Sequence, residues 1–241
     1  MSWDLYLKEF TAYLELEKSL SENSVEAYQR DVVKLKQFLE INNPGRTPLN
    51  VEAADLSEFL GFIVEMGMSS YSQARILSGL KSFFSYLRME DLIDVNPCEL
   101  VEAPKLGRKL PDTLEYHEIE KMFEVFDLSS PEGARNRAMF ETLYSSGLRV
   151  SELINLKISN LFFTDGFIKI LGKGDKERLV PIGKDAIKFN TIYKNEIRNH
   201  VEVKKGFENF LYLNRRGKAL SRVMIFNITK DIAKQDEIKK N

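Results

Sequence analysis

The 241 residues predict a mainly α-helical protein with a small antiparallel β-sheet, built as two domains. Three observations carry this. Apolar residues recur at helical spacing through the first hundred positions. Between Phe167 and Ile182 the apolar period shortens to two, the period of strands. The charge changes sign along the chain: residues 1–103 hold 9 Lys/Arg against 17 Asp/Glu, a net of −8, and residues 104–241 hold 26 against 19, a net of +7. The overall charge of −1 hides this contrast. It divides the chain into a helical domain over 1–103, a linker over 104–112 and a mixed domain over 113–241. A basic second half suits a polyanionic partner.

The elements follow in order. Trp3, Tyr6, Phe10 and Leu14 mark the first helix. The second begins near Asn23-Ser24, with Asn23 as cap and Glu26 three residues on, and carries Val25, Tyr28, Val32, Leu35 and Leu39. Asn42-Asn43-Pro44-Gly45 ends it. Leu56, Phe59, Leu60 and Ile63 mark a third helix, and Leu77, Leu80, Phe83, Phe84 and Leu87 a fourth after Ser69-Ser70. Asn96-Pro97 stops a last short segment. PKLGRKLP, 104–111, reads as the linker. Helices fit 115–126 and 133–146, the second meeting Gly147 as its stop. Another starts at once in LRVSEL, 148–153. Asp165-Gly166 turns the chain into a strand, GKGDK forms a loop, and Arg178–Ile182 returns. Helices close the chain at 184–198 and 222–234, with Ser221 capping the last.

Composition excludes several classes. One cysteine, Cys98, rules out a disulfide framework and a cysteine-based zinc site. The two histidines, His117 and His200, are far apart, and no metal site is expected. No stretch reaches the roughly 18 apolar residues of a membrane helix. Met1-Ser2-Trp3-Asp4 lacks the basic flank and apolar run of a signal peptide, so a cytoplasmic protein is expected.

Four features carry candidate chemistry. In SSGLRVSEL, 145–153, Arg149 follows a glycine break, and Glu152 lies three residues on along the same helical face. An arginine there can bind a phosphate with both arms of its fork. An ordinary solvated ion pair is the other reading. In LGKGDKERLVPI, 171–182, two glycines flank Lys173 between strands, with Lys176 and Arg178 close by. A lysine there can donate a proton to a leaving oxygen; a plain hairpin turn would look the same. The fourth helix sets Arg75, Ser78 and Lys81 opposite its apolar stripe, which suits a DNA backbone or simply water. Arg215, Arg216 and Arg222 form a basic cluster late in the chain, and Lys105, Arg108 and Lys109 another in the linker.

Taken in this order, the pieces resemble the tyrosine site-specific recombinases, the Xer type and related phage or transposon integrases above all. LSENSVEAYQRDVVKLKQFL and SQARILSGLKSFFSYL resemble the helical, SAM-like core-binding domain. NPCELVEAPKLGRKLPDTL is similar to the interdomain linker. SSGLRVSELINLKISNL and LGKGDKERLVPIG resemble the first two active-site boxes, so that 113–241 corresponds to the N-terminal part of the catalytic domain. The resemblance implies a clamp around double-stranded DNA, acting as a homo- or hetero-tetramer on two sites, with room for an activating partner protein. It implies strand cleavage through a 3′-phosphotyrosyl intermediate, with no cofactor. Arg149 matches the arginine that holds an oxygen of the scissile phosphate, Lys173 the lysine that protonates the leaving 5′-oxygen, and Glu152 the acid that supports the arginine.

The family continues with an HxxR box and a tyrosine nucleophile. Neither His117, in HEIE, nor His200, in HVEV, has an arginine three residues on, and the last tyrosines are Tyr193 and Tyr212. No nucleophile is assigned, and the catalytic domain is expected to be incomplete. The chain as given is expected to bind DNA without cleaving it, and to expose apolar surface near Ile225, Phe226 and Ile232. A catalytically dead DNA-binding module and a helical protein-interaction domain are the alternative readings. Neither the DNA site nor the choice between chromosome-dimer resolution and integration is written in these residues.

Overall fold

The computed structural model describes residues 2–107, 113–172 and 176–235. Arg108 and Lys109 of the linker and Lys173 of the hairpin lie outside the described residues. The chain forms two compact units, Met1–Lys109 and Leu110–Asn241. It is mostly helical, with one small antiparallel sheet.

The first unit holds α1 (Trp3–Leu16), α2 (Glu22–Asn42), α3 (Ala53–Glu65) and α4 (Ser70–Met89). Their apolar stripes meet in one core. Phe10, Val32, Leu35, Leu56, Leu80, Phe83 and Phe84 are buried, and the Phe10 ring meets Phe83 edge-on at 5.2 Å. α2 starts earlier than its sequence suggests. Ser21, not Asn23, is the cap: its backbone is extended and its carbonyl accepts the Val25 amide at 3.0 Å. α4 starts at the expected serines, with the Ser69 hydroxyl accepting the Ser72 amide. Asn96 does more than stop a segment. Its carbonyl oxygen accepts the Cys98 amide and opens a short 3₁₀ turn, Pro97–Leu100. Its amide donates to the Lys81 carbonyl and to Ser85, which ties that turn to α4.

One carboxylate inside this helical core is only half paired. Asp31 of α2 is fully buried against Gly79 of α4, where a Cβ would collide with the carboxylate. Arg75 pairs with one carboxylate oxygen; the other, Oδ2, has no partner. Burial raises the Asp31 pKa to about 6, against the opposing pull of Arg75 and Lys34.

The second unit holds α5 (Tyr116–Glu124), α6 (Pro131–Ser146), α7 (Val150–Ile154), β1 (Leu161–Phe162), β2 (Phe167–Leu171), β3 (Glu177–Pro181), α8 (Lys184–Ile192) and α9 (Arg222–Gln235). The strands pair in the order β1-β2-β3, all antiparallel, with Ile168 opposite Val180. Sequence reading missed β1 because two residues carry no period. α8 ends at Ile192, short of the expected 198, and loosens into a π turn over Tyr193–Ile197. Tyr193 is buried there and its hydroxyl accepts the Leu213 amide.

α9 corrects one expectation. Ile225 and Ile232 are buried in the core of this unit, and Phe226 alone of the three is exposed. The i, i+7 spacing puts both isoleucines on one face, which turns inward, while Phe226 follows on the outer face.

A closed polar triad sits in the same core. The Tyr212 hydroxyl donates to Asn190 Oδ1 at 2.6 Å, and Asn190 Nδ2 donates to Thr142 Oγ1 at 2.7 Å. Thr142 Oγ1 lies 2.9 Å from both the Ala138 carbonyl and the Tyr212 hydroxyl. The triad joins α6, α8 and the segment before α9.

Two stability predictions follow from these buried groups. Thr142→Val keeps the shape and removes the hydroxyl, so urea denaturation is expected to show a loss of about 1–3 kcal/mol. For Asp31 the folded pKa lies above the unfolded one, so the folded state holds the extra proton. The Asp31 contribution to stability is therefore fully present below about pH 4 and is lost as pH rises through 6, on the order of 3 kcal/mol. Asp31→Asn is expected to flatten that pH dependence, read as thermal midpoints between pH 4 and 8.

Candidate active site and nucleic-acid interface

The candidate site grows out of a helix end. α6 stops at Gly147, whose φ of 58° is the left-handed geometry that glycine adopts without strain. The chain turns, and Arg149 takes an extended backbone just ahead of α7. Glu152 sits at the third position of α7 and reaches back, accepting the Arg149 amide at 2.8 Å and its Nη1 at 3.1 Å. Glu152 thus supplies the reach-back half of a capping box, and the residue whose amide it accepts is also the candidate phosphate ligand.

β3 brings a second arginine to the same carboxylate. Arg178 donates with both arms, Nη1 to Oε1 at 2.8 Å and Nη2 to Oε2 at 3.0 Å. Glu152 thus accepts four bonds while its side chain is 6% exposed. The Arg178 hydrogen bonds, with help from Arg149 and against the cost of burial, hold its pKa down at about 2. The cluster of one carboxylate and two guanidiniums carries a net positive charge at any ordinary pH.

Arg149 differs from Arg178 in what it leaves unengaged. Its side chain is 75% exposed, and its Nε and Nη2 donate to no described residue. It borders a cavity of about 470 Å³ lined also by Ser151, Asn155, Lys157, Asn160 and Lys169. Lys157 and Lys169 were missed in the sequence. Lys169 had a signal: strand alternation places it on the face opposite Ile168 and Ile170. Lys157 had none. Its ammonium lies over the Phe210 ring, 3.0 Å from the centroid, and burial lowers its pKa.

The remaining candidate DNA contacts fall in several places. Lys176, Arg215, Arg216 and Arg222 are exposed in the second unit, with Arg215 3.8 Å from Glu132. Lys105 is exposed in the first unit, as are Ser78 and Lys81 on α4. Arg75 shares that face and also pairs with Asp31. Arg178 points its fork at Glu152. The two late tyrosines are far from any surface role. Tyr193 is 1% and Tyr212 0% exposed, and their rings stack at 5.8 Å. Among the described residues no cluster of histidine, cysteine and carboxylates could hold a metal ion, and no helix is long and apolar enough to cross a membrane.

Comparison with known proteins matches both units. Residues 112–241 match the phage integrase family, and residues 7–91 match the phage integrase N-terminal SAM-like domain. The tyrosine recombinase XerD of Staphylococcus saprophyticus is 37% identical over 238 residues, 99% of this chain and 80% of its own length. The chain belongs to the phage integrase family of tyrosine recombinases.

Solved structures of this family agree on the fold. The XerH site-specific recombinase bound to difH substrate aligns with a TM-score of 0.74 at 22% identity, over 98% of this chain and 80% of that one. Lambda integrase (residues 75–356) bound to DNA aligns at 0.75 and 17%, over 100% of this chain and 80% of that one. In this recombinase, burial pushes the hydroxyl pKa values of Tyr193 and Tyr212 up. Of the nine tyrosines, these two are expected to ionise last and only with unfolding. A spectrophotometric alkaline titration, followed in parallel by circular dichroism, checks this.

Proposed function

We propose that this protein is a Xer-like site-specific DNA recombinase whose second unit presents Arg149 to the scissile phosphate of duplex DNA. The reading is carried by one observation: a guanidinium held along one edge by Glu152 and open on the other, beside a lysine-lined cavity, in a chain similar to XerD over 99% of its length. A phosphate passing through a charged transition state gains most from cations that are already in place. Arg149 would supply such a cation to a non-bridging oxygen. Lys173, carried on the β2–β3 loop, would give its proton to the 5′-oxygen as the P–O5′ bond breaks. The bond that forms joins phosphorus to a tyrosine oxygen, so the sum of phosphodiesters is unchanged and neither metal nor nucleotide is required.

The helical unit and the basic segments Lys105–Lys109 and Arg215–Arg222 would hold the phosphate backbone, with domain limits at 1–103, 104–112 and 113–241. Assembly on DNA would be tetrameric and the protein cytoplasmic. Tyr193 and Tyr212, the two tyrosines that follow the hairpin, are buried and hydrogen-bonded. These 241 residues would therefore bind DNA without forming a covalent adduct. That feature favours, as a second reading, a module that occupies recombination sites without cutting them.

Gel shifts with a random-sequence duplex test the binding. Affinity is expected to fall about 10³-fold or more between 50 and 200 mM salt, since several phosphates are neutralised. Absence of binding at low salt sinks the reading. A nicked suicide duplex is expected to give no adduct that survives SDS. An adduct lost on changing Tyr193 or Tyr212 to Phe would overturn the assignment of both as structural.

A further inference from the structure

We infer that Arg178 is a positioning residue: it acts through Glu152 to hold Arg149, and it does not contact DNA. The inference rests on the reading of Arg149 as the phosphate ligand and extends it to a residue outside that reading.

The geometry is specific. Arg178 uses both of its terminal nitrogens on Glu152, at 2.8 and 3.0 Å, so its fork faces into the protein and away from a ligand. A bidentate pair fixes the carboxylate plane as well as its position. The carboxylate, so fixed, presents one oxygen to the Arg149 amide and the other to the Arg149 guanidinium. A chain of contacts thus runs from β3 through Glu152 to the backbone and side chain of Arg149.

Glu152 alone would be a weaker support. A side chain 6% exposed and holding only one solvated arginine would pay the desolvation of its charge with little return. Arg178 removes that imbalance. It also lies against the hairpin: a Cβ on Gly172 would come within 3.1 Å of Arg178 Nη1, and the Gly172 amide donates to the Lys176 carbonyl at 2.8 Å. Gly172, at one end of the hairpin loop, therefore lies beside the same guanidinium that braces Glu152. Substitution of Arg178 is expected to disturb both the Arg149 side and the hairpin side of the site.

The role separates from a DNA contact by spectroscopy on the chain itself. Glutamate carboxyl-carbon NMR follows Glu152 ionisation, and arginine Nε–H resonances follow both guanidiniums. In the wild-type protein Glu152 is expected to stay ionised down to pH 3. In Arg178→Gln its midpoint is expected to rise at least one pH unit, a tenfold change in acid dissociation, with the Arg149 Nε–H resonance broadening over the same range. Arg178→Lys keeps the charge, loses the fork, and is expected to recover only part of the shift. The backbone amide spectrum of α5 and α8 serves as the control for folding. If Arg178→Gln fails to fold, Arg178→Lys and the wild-type titration decide. On adding a 15-base-pair duplex at low salt to the wild-type protein, the Arg149 resonance is expected to move and that of Arg178 to stay. An unaltered Glu152 midpoint in the variants, or an Arg178 resonance that moves with DNA as much as that of Arg149, overturns the inference. No movement of either arginine with DNA would instead count against the recombinase reading, and the Glu152 midpoints would still decide the role of Arg178.

Discussion

A single carboxylate organises the second unit. Glu152 accepts four hydrogen bonds from two arginines that come from different elements, one ahead of α7 and one on β3. Without it, two cations would face each other across a partly dry site, and like charges at that range repel. With it, they become a rigid cluster that keeps one positive charge to spend on a ligand. The low pKa of Glu152 follows from the same bonds, which favour the ionised carboxylate.

The surrounding fold exists to put that carboxylate in place. Gly147 lets α6 end and α7 begin within a few residues, so Arg149 and Glu152 project from one short turn of helix. The three-stranded sheet brings β3 alongside, with Ile168 and Ile170 of β2 buried beneath it. The Thr142–Asn190–Tyr212 triad locks α6 to α8 from inside. A buried polar network of this kind favours one arrangement of helices over near alternatives, because any slippage leaves its groups unpaired.

The two units differ in how they manage charge. The first is acidic overall, and its buried Asp31 is incompletely paired: Arg75 holds one oxygen, the other has no partner, and burial raises the acid. The second is basic, and its central carboxylate has both oxygens engaged, by four bonds from two arginines.

Most of the architecture was legible in the residues. The stripes of α1, α3 and α4, the Gly147 stop, the Asp165-Gly166 turn and the paired strands follow from local periodicity and turn chemistry, which act over a few residues and leave their mark in order. Arg149 and Glu152 could be paired from their i, i+3 spacing. What the sequence could not show was contact between distant positions. Arg178 read only as a candidate phosphate contact; that its fork reaches Glu152, 26 residues away, is decided by the tertiary structure. Lys157 had no pattern to single it out until Phe210 came under its ammonium. Ile225 and Ile232 read as surface left bare, and tertiary packing buried them. Local order is set by the neighbours along the chain, whereas the direction of a long charged side chain is set by whichever opposite charge the fold brings within reach.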